Sequence, residues 1–156
     1  MKSASTRRLA SFASERGLDI EISEFPEGTK TAADAAAAIG CDVAAIVKSL
    51  VFTVDGEPVV ALVPGDRRLD PESLSRIAGG GKVERATLEA VREATGYAAG
   101  GTPPFGHAAP IRIFADSSLR RHDPVWAAGG TPSTVFPVSL ADLDRISAPV
   151  WGDLSV

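Results

Sequence analysis

A chain of 156 residues, 44% hydrophobic and 23% charged, is long enough to bury a core without cross-links and too apolar to remain disordered. Its single cysteine, Cys41, excludes an internal disulfide and an all-cysteine metal site, which suits a reducing, cytoplasmic setting. A formal net charge of −4 argues against a protein that grips DNA or long stretches of RNA, so any RNA contact should be small, confined for example to one end.

The basic residues within 1–9 have no apolar stretch behind them, so a secretory signal is not expected. No window approaches the roughly 20 apolar residues of a membrane span, and no membrane partner is expected. Residues 5–16 predict a short amphipathic helix with Leu9, Phe12 and Ala13 on one side and Gly17 as its stop. Residues 18–24 alternate Leu18, Ile20 and Ile22 with acidic neighbours, the pattern of a half-buried strand. Thr31 and Asp34 form a capping-box-like start for an alanine-rich helix ending at Gly40, and Asp42 caps a second short helix over 43–46.

Residues 47–54 (VKSLVFTV) are β-branched and aromatic, Asp55-Gly56 is a tight-turn signal, and residues 58–63 run on from it, so the segment predicts a β-hairpin. Asp70 and Pro71 open a helix that Gly79, Gly80 and Gly81 terminate. A further helix over 87–95 ends at Gly96 and leads into a Gly/Pro loop over 96–106. Strands are expected at 111–115, 124–128 and 133–138, and Ser139 caps a last helix. Interleaved helices and strands with at least one hairpin point to a single domain over 1–156 of α/β (α+β-like) class, with a mixed sheet.

Several chemistries lack their signatures. Gly79-Gly80-Gly81-Lys82 fails as a phosphate loop, because Val83 follows the lysine and a helix precedes the glycines. There is no GxSxG and no HExxH, and His107 and His122 stand 15 residues apart without a ligand at metal spacing, so no metal site is expected. Two features remain. Lys48 shares a strand face with Ile46, Leu50, Phe52 and Val54, so its ammonium is either desolvated, paired or snorkelling from the strand end. The loop 96–106 carries Gly96, Gly100 and Gly101 and then Pro103 and Pro104; it is either an ordinary surface loop or a backbone cradle for an oxygen. Arg67, Arg68, Lys82, Arg85 and Arg92 form either a local basic surface or scattered solvated charge.

In order and spacing, the stretches 31–40 (TAADAAAAIG), 46–52 (IVKSLVF), 61–70 (ALVPGDRRLD), 96–106 (GYAAGGTPPFG) and 125–136 (VWAAGGTPSTVF) resemble the YbaK / prolyl-tRNA-synthetase-associated domain family. The resemblance implies a mixed, largely antiparallel sheet surrounded by helices, and hydrolysis of the ester joining an amino acid to the 3′ end of tRNA, in trans or within prolyl-tRNA synthetase. It implies no metal or organic cofactor. Its invariant lysine corresponds to Lys48, and its GxxxP loop to Gly100, Gly101, Thr102, Pro103 and Pro104.

On this basis the expected partner is the tRNA acceptor end, with an aminoacyl-tRNA synthetase as a further candidate. The expected catalytic set is Lys48, Gly100, Gly101 and Thr102. The N–H groups of Gly101 and Thr102 would hold the carbonyl oxygen, and Lys48 would act as a cation or, if neutral, as a base. Thr31, Ser49, Pro104 and His107 are the candidate substrate-binding residues, Thr31 also as a helix cap and His107 also as a solvated loop histidine. tRNA(Pro) carrying a small amino acid is the expected substrate. The competing readings are a non-catalytic module binding tRNA ends or a synthetase, and a hydrolase of free esters.

Overall fold

The computed structural model describes residues 3–25 and 31–156; Met1 and Lys2, the start of the basic N-terminal stretch, lie outside them. Helix α1 (Ala4–Ser14) is capped by Ser3 and ends in a turn in which Gly17 takes a positive φ. Strand β1 is short (Ser23–Glu24). The predicted strand over 18–24 is therefore mostly unpaired, although Leu18, Ile20 and Ile22 do turn their side chains onto the core. Helix α2 (Ala32–Ile39) starts on Thr31, whose hydroxyl accepts from the Asp34 amide, and stops at Gly40 in the left-handed region. A 3-10 turn (Val43–Ala45) capped by Asp42 follows.

Strands β2 (Ile46–Val54) and β3 (Glu57–Pro64) form the expected antiparallel hairpin. Its two loop residues, Asp55 and Gly56, both have positive φ, as a type I′ turn requires. Helix α3 (Pro71–Ile77), β4 (Val83–Arg85), α4 (Leu88–Thr95), β5 (Arg112–Asp116), β6 (Val125–Ala128), β7 (Thr134–Val138), α5 (Leu140–Ser147) and β8 (Val150–Gly152) complete the chain. Strands β4 and β8 are absent from the sequence reading; each is three residues long, too short for a period-two pattern to show.

Among the described residues, eight strands make one sheet in the order β1-β7-β6-β2-β3-β5-β8, with β4 also on β2. The sheet is mixed: the β2–β3 and β6–β7 hairpins and the β1 and β4 pairings are antiparallel, while β2–β6, β3–β5 and β5–β8 are parallel. The main core gathers Leu9 of α1, Val47 and Val51 of β2, Phe105, Phe136 and Leu143. A second cluster joins Phe52, Val59, Leu74, Phe114 and Leu154, and a third packs α2 on Ile46. Among the described residues no helix is long and apolar enough to cross a membrane.

Candidate active site

The outer edge of β2 is paired at both ends and open in the middle. Strand β6 pairs it at Ile46 and Val47, and β4 from Phe52 to Val54. Between them, among the described residues, only the Val51 carbonyl is engaged, by the Ala86 amide at 3.2 Å. The two-residue hairpin loop makes Val54 and Glu57 a hydrogen-bonded pair, so the backbone groups of even-numbered β2 residues face β3. Those of Ser49 therefore face the break in the ladder.

A cavity of about 540 Å³ occupies this break. It is lined by Thr31 and by Ala32 and Ala35 of α2, by Ile46 to Leu50, by Gly65, by Gly100 and Thr102, and by Trp126 to Ala128, Pro132, Thr134 and Val135 of the β6–β7 hairpin. A smaller chamber of about 190 Å³ adjoins it and shares Ser49, Leu50, Gly100 and Thr102.

Lys48 lies between the second and third apolar clusters and is half-buried. Its Nζ donates to the Arg67 carbonyl at 2.6 Å. Burial holds its pKa below the ordinary lysine value; Asp66 nearby opposes that shift and Arg68 adds to it. Of the sequence-level alternatives, the geometry is partial desolvation with a backbone acceptor. The neighbouring Ser49 Oγ is buried and has no hydrogen-bond partner among the described residues, an unusual state for a hydroxyl away from water.

The glycine loop reaches the cavity through Gly100, which has a positive φ, and through Thr102. Gly101 is placed differently from the expectation. Its amide donates to the Ala98 carbonyl at 3.0 Å, and a Cβ there would stand 2.7 Å from Thr131 Cα. It packs against the 129–133 turn and does not line the cavity, so its N–H is committed to the loop's own turn. The Thr102 hydroxyl also donates to Ala98, at 3.1 Å.

Pro104 and His107 likewise lie outside the cavity. Pro104 is buried, with its carbonyl accepting from Ser147 Oγ at 2.9 Å. His107 is neither solvated nor site-facing: Nε2 sits 2.8 Å from the Pro103 carbonyl, and burial lowers its pKa, partly offset by that bond. Since a carbonyl only accepts, Nε2 carries the hydrogen. Both residues brace the loop from behind. Thr31 stands at the cavity edge, where its hydroxyl oxygen caps α2 by accepting from the Asp34 amide.

Sequence reasoning missed the far wall, made by Trp126, Ala127, Ala128, Pro132, Thr134 and Val135. The repeated GGTP of residues 100–103 and 129–132 was the available signal, because the two turns meet at Gly101 and Thr131. Among the described residues no three His, Cys, Asp or Glu side chains gather as a metal site would require.

The model of the aminoacyl-tRNA editing domain family matches residues 26–146. A proline–tRNA ligase of Maridesulfovibrio salexigens is 42% identical over 107 residues, 65% of this chain and 17% of that one. The uncharacterized YwhH of Bacillus subtilis is 32% identical over 136 residues, 86% of each chain. The crystal structure of a protein proposed to be a trans-editing enzyme for prolyl-tRNA synthetase superposes with a TM-score of 0.94 at 39% identity, covering 100% of this chain and 99% of that one. The chain spans less than a fifth of the length of the curated proline–tRNA ligases it matches. With most of its length matched and its whole fold shared, the chain belongs to the aminoacyl-tRNA editing domain family, the YbaK-like group.

Proposed function

We propose that this protein is an aminoacyl-tRNA deacylase that acts in trans on tRNA(Pro) carrying a small amino acid. The observation that carries the reading is the meeting of Lys48, the unpartnered Ser49 hydroxyl, Gly100 and Thr102 on one cavity, inside a family of editing domains.

An aminoacyl ester is already activated, so its hydrolysis needs a held carbonyl, a placed water and stabilisation of the developing oxyanion, with no covalent or metal-bound intermediate. With the Gly101 amide engaged, the oxyanion contacts fall to the Thr102 N–H and the Lys48 ammonium. The Arg67 carbonyl favours the charged form of Lys48, so the lysine serves as a cation. The buried Ser49 hydroxyl gains its missing partner from the substrate's ester or ribose oxygens. Two joined chambers leave room for the terminal nucleoside and a small side chain at once.

The test is amino-acid release from tRNA(Pro) charged with alanine, cysteine, serine or threonine, by wild type and Lys48→Ala side by side. Selective release by the wild type, reduced about a hundred-fold or more in Lys48→Ala, is the expected outcome. Binding of the tRNA end without release from any of the four, by folded protein, would make it a binding module instead. Equal turnover of free amino-acid esters would remove the tRNA from the reading.

A further inference from the structure

By sequence Arg67 belongs either to a local basic surface or to scattered solvated charge, but in the fold it is turned inward. Its Nε donates to Ser155 Oγ at 2.6 Å and its Nη2 to the Ser155 carbonyl at 3.2 Å. Next to it the Leu154 amide donates to the buried Asp116 carboxylate at 2.8 Å. Main-chain bonds reinforce this grip: Arg68 and Val156 exchange two, at 3.0 and 2.8 Å, and the Asp70 amide donates to Leu154 at 2.7 Å. Leu154 itself is fully buried. On the other side of the turn, Gly65 fits so closely that a Cβ would stand 2.6 Å from the Val43 carbonyl. The backbone between these two fixed points includes the Arg67 carbonyl, the acceptor for Lys48.

We propose that Arg67 is a positioning residue for Lys48: held on Ser155, it fixes the carbonyl to which the ammonium is tethered and so the point from which the lysine's charge acts. A flexible lysine side chain gives up rotamer entropy when it is held, and a tether restrains it only if the acceptor is itself immobile. The segment 153–156 that supplies the grip lies beyond residue 146, where the family match ends. The inference rests on the role given to Lys48 above.

The experiment compares Arg67→Ala, Arg67→Lys and Ser155→Ala in the intact chain. It measures kcat and KM on mischarged tRNA and the Lys48 ammonium resonance in 15N-labelled protein. Arg67→Ala is expected to lower kcat about ten- to a hundred-fold while KM stays within about two-fold. The ammonium signal, visible in wild type because its protons are held, is lost to solvent exchange. Arg67→Lys keeps the charge but not the two-pronged grip, and should behave like Arg67→Ala. Ser155→Ala leaves the bond to the Ser155 carbonyl and should give a smaller loss in the same direction; it decides the matter if the Arg67 variants fail to fold.

A raised KM with unchanged kcat and a flatter salt dependence would make Arg67 an RNA contact and overturn the proposal. Lost thermal stability with kcat and the Lys48 signal unchanged would overturn it too, as would full rescue by Arg67→Lys. If Lys48→Ala proves fully active, it is the reading of Lys48 that fails, and the ammonium signal alone then decides whether Arg67 holds the tether.

Discussion

Two titratable side chains flank the glycine loop, and burial lowers the pKa of both, yet their settings differ. Lys48 opens onto the cavity, while His107 is wedged behind the loop on the Pro103 carbonyl. A lysine whose folded pKa is depressed is penalised while charged, so its contribution to stability rises with pH between the folded value and the ordinary 10.5. The histidine's sign gives a different window. Its neutral form is preferred in the fold, so the stability it supports is complete above its ordinary pKa of 6.5 and is lost as pH falls from there through the depressed folded value. We therefore expect urea midpoints to drop as pH is lowered below about 6.5, with a shallower slope in His107→Gln. An unchanged slope would mean that His107 titrates as freely folded as unfolded. Sequence alone left His107 between a substrate ligand and a solvated loop histidine, because neither burial nor the facing carbonyl leaves a mark in the chain around it.

At the scale of elements, the helices were the most legible, since each carries its own punctuation: Thr31 and Gly40 around α2, Thr87 and Gly96 around α4, Ser139 before α5. The hairpin was equally plain from Asp55-Gly56. What stayed hidden depends on contacts far apart in sequence. The pairing of β4 and β6 on separate ends of β2 is one such contact, and the docking of the loop on the 129–133 turn is another. For the same reason Gly101 is distinguishable from Gly100 only in the fold. Gly100 has open space before Pro132 and a positive φ, whereas Gly101 lies against Thr131 main-chain atoms that cannot swing aside. Gly101→Ala should accordingly destabilise the protein by about 1–3 kcal/mol and push the loop off the cavity, lowering kcat as well. Thermal melts and deacylation rates on the same preparation check both halves.

Across the molecule, Phe105 ties the glycine loop to the main core. Phe105 is almost wholly buried, stacks on Phe12 of α1 at 6.0 Å and meets Phe136 of β7 at 5.8 Å. Helix α1, the glycine loop and β7 thus share one packing centre. Phe105→Ala should cost about 3–5 kcal/mol, a large fraction of the 5–15 kcal/mol available to a domain of this kind, and should lower the melting temperature sharply. A variant melting like wild type would show that the loop holds its place without this ring. The overall class, a mixed sheet flanked by helices, followed from interleaved elements and a hairpin, but the strand order could not, because nothing local specifies which edges meet.

The interruption in the outer ladder of β2 has a consequence for how occupancy would be felt. Ser49 sits mid-way along one of the longest strands, with β3 closed over its neighbours, yet among the described residues its own amide has no rung to complete. A bound ester that supplied that rung would act as a guest residue of the sheet, borrowing the stiffness of the surrounding β-structure rather than waiting for a flap to fold over it. Recognition would then be a matter of fitting a molecule into a missing stitch of backbone, and selectivity would follow from how little the two flanking strands can spread.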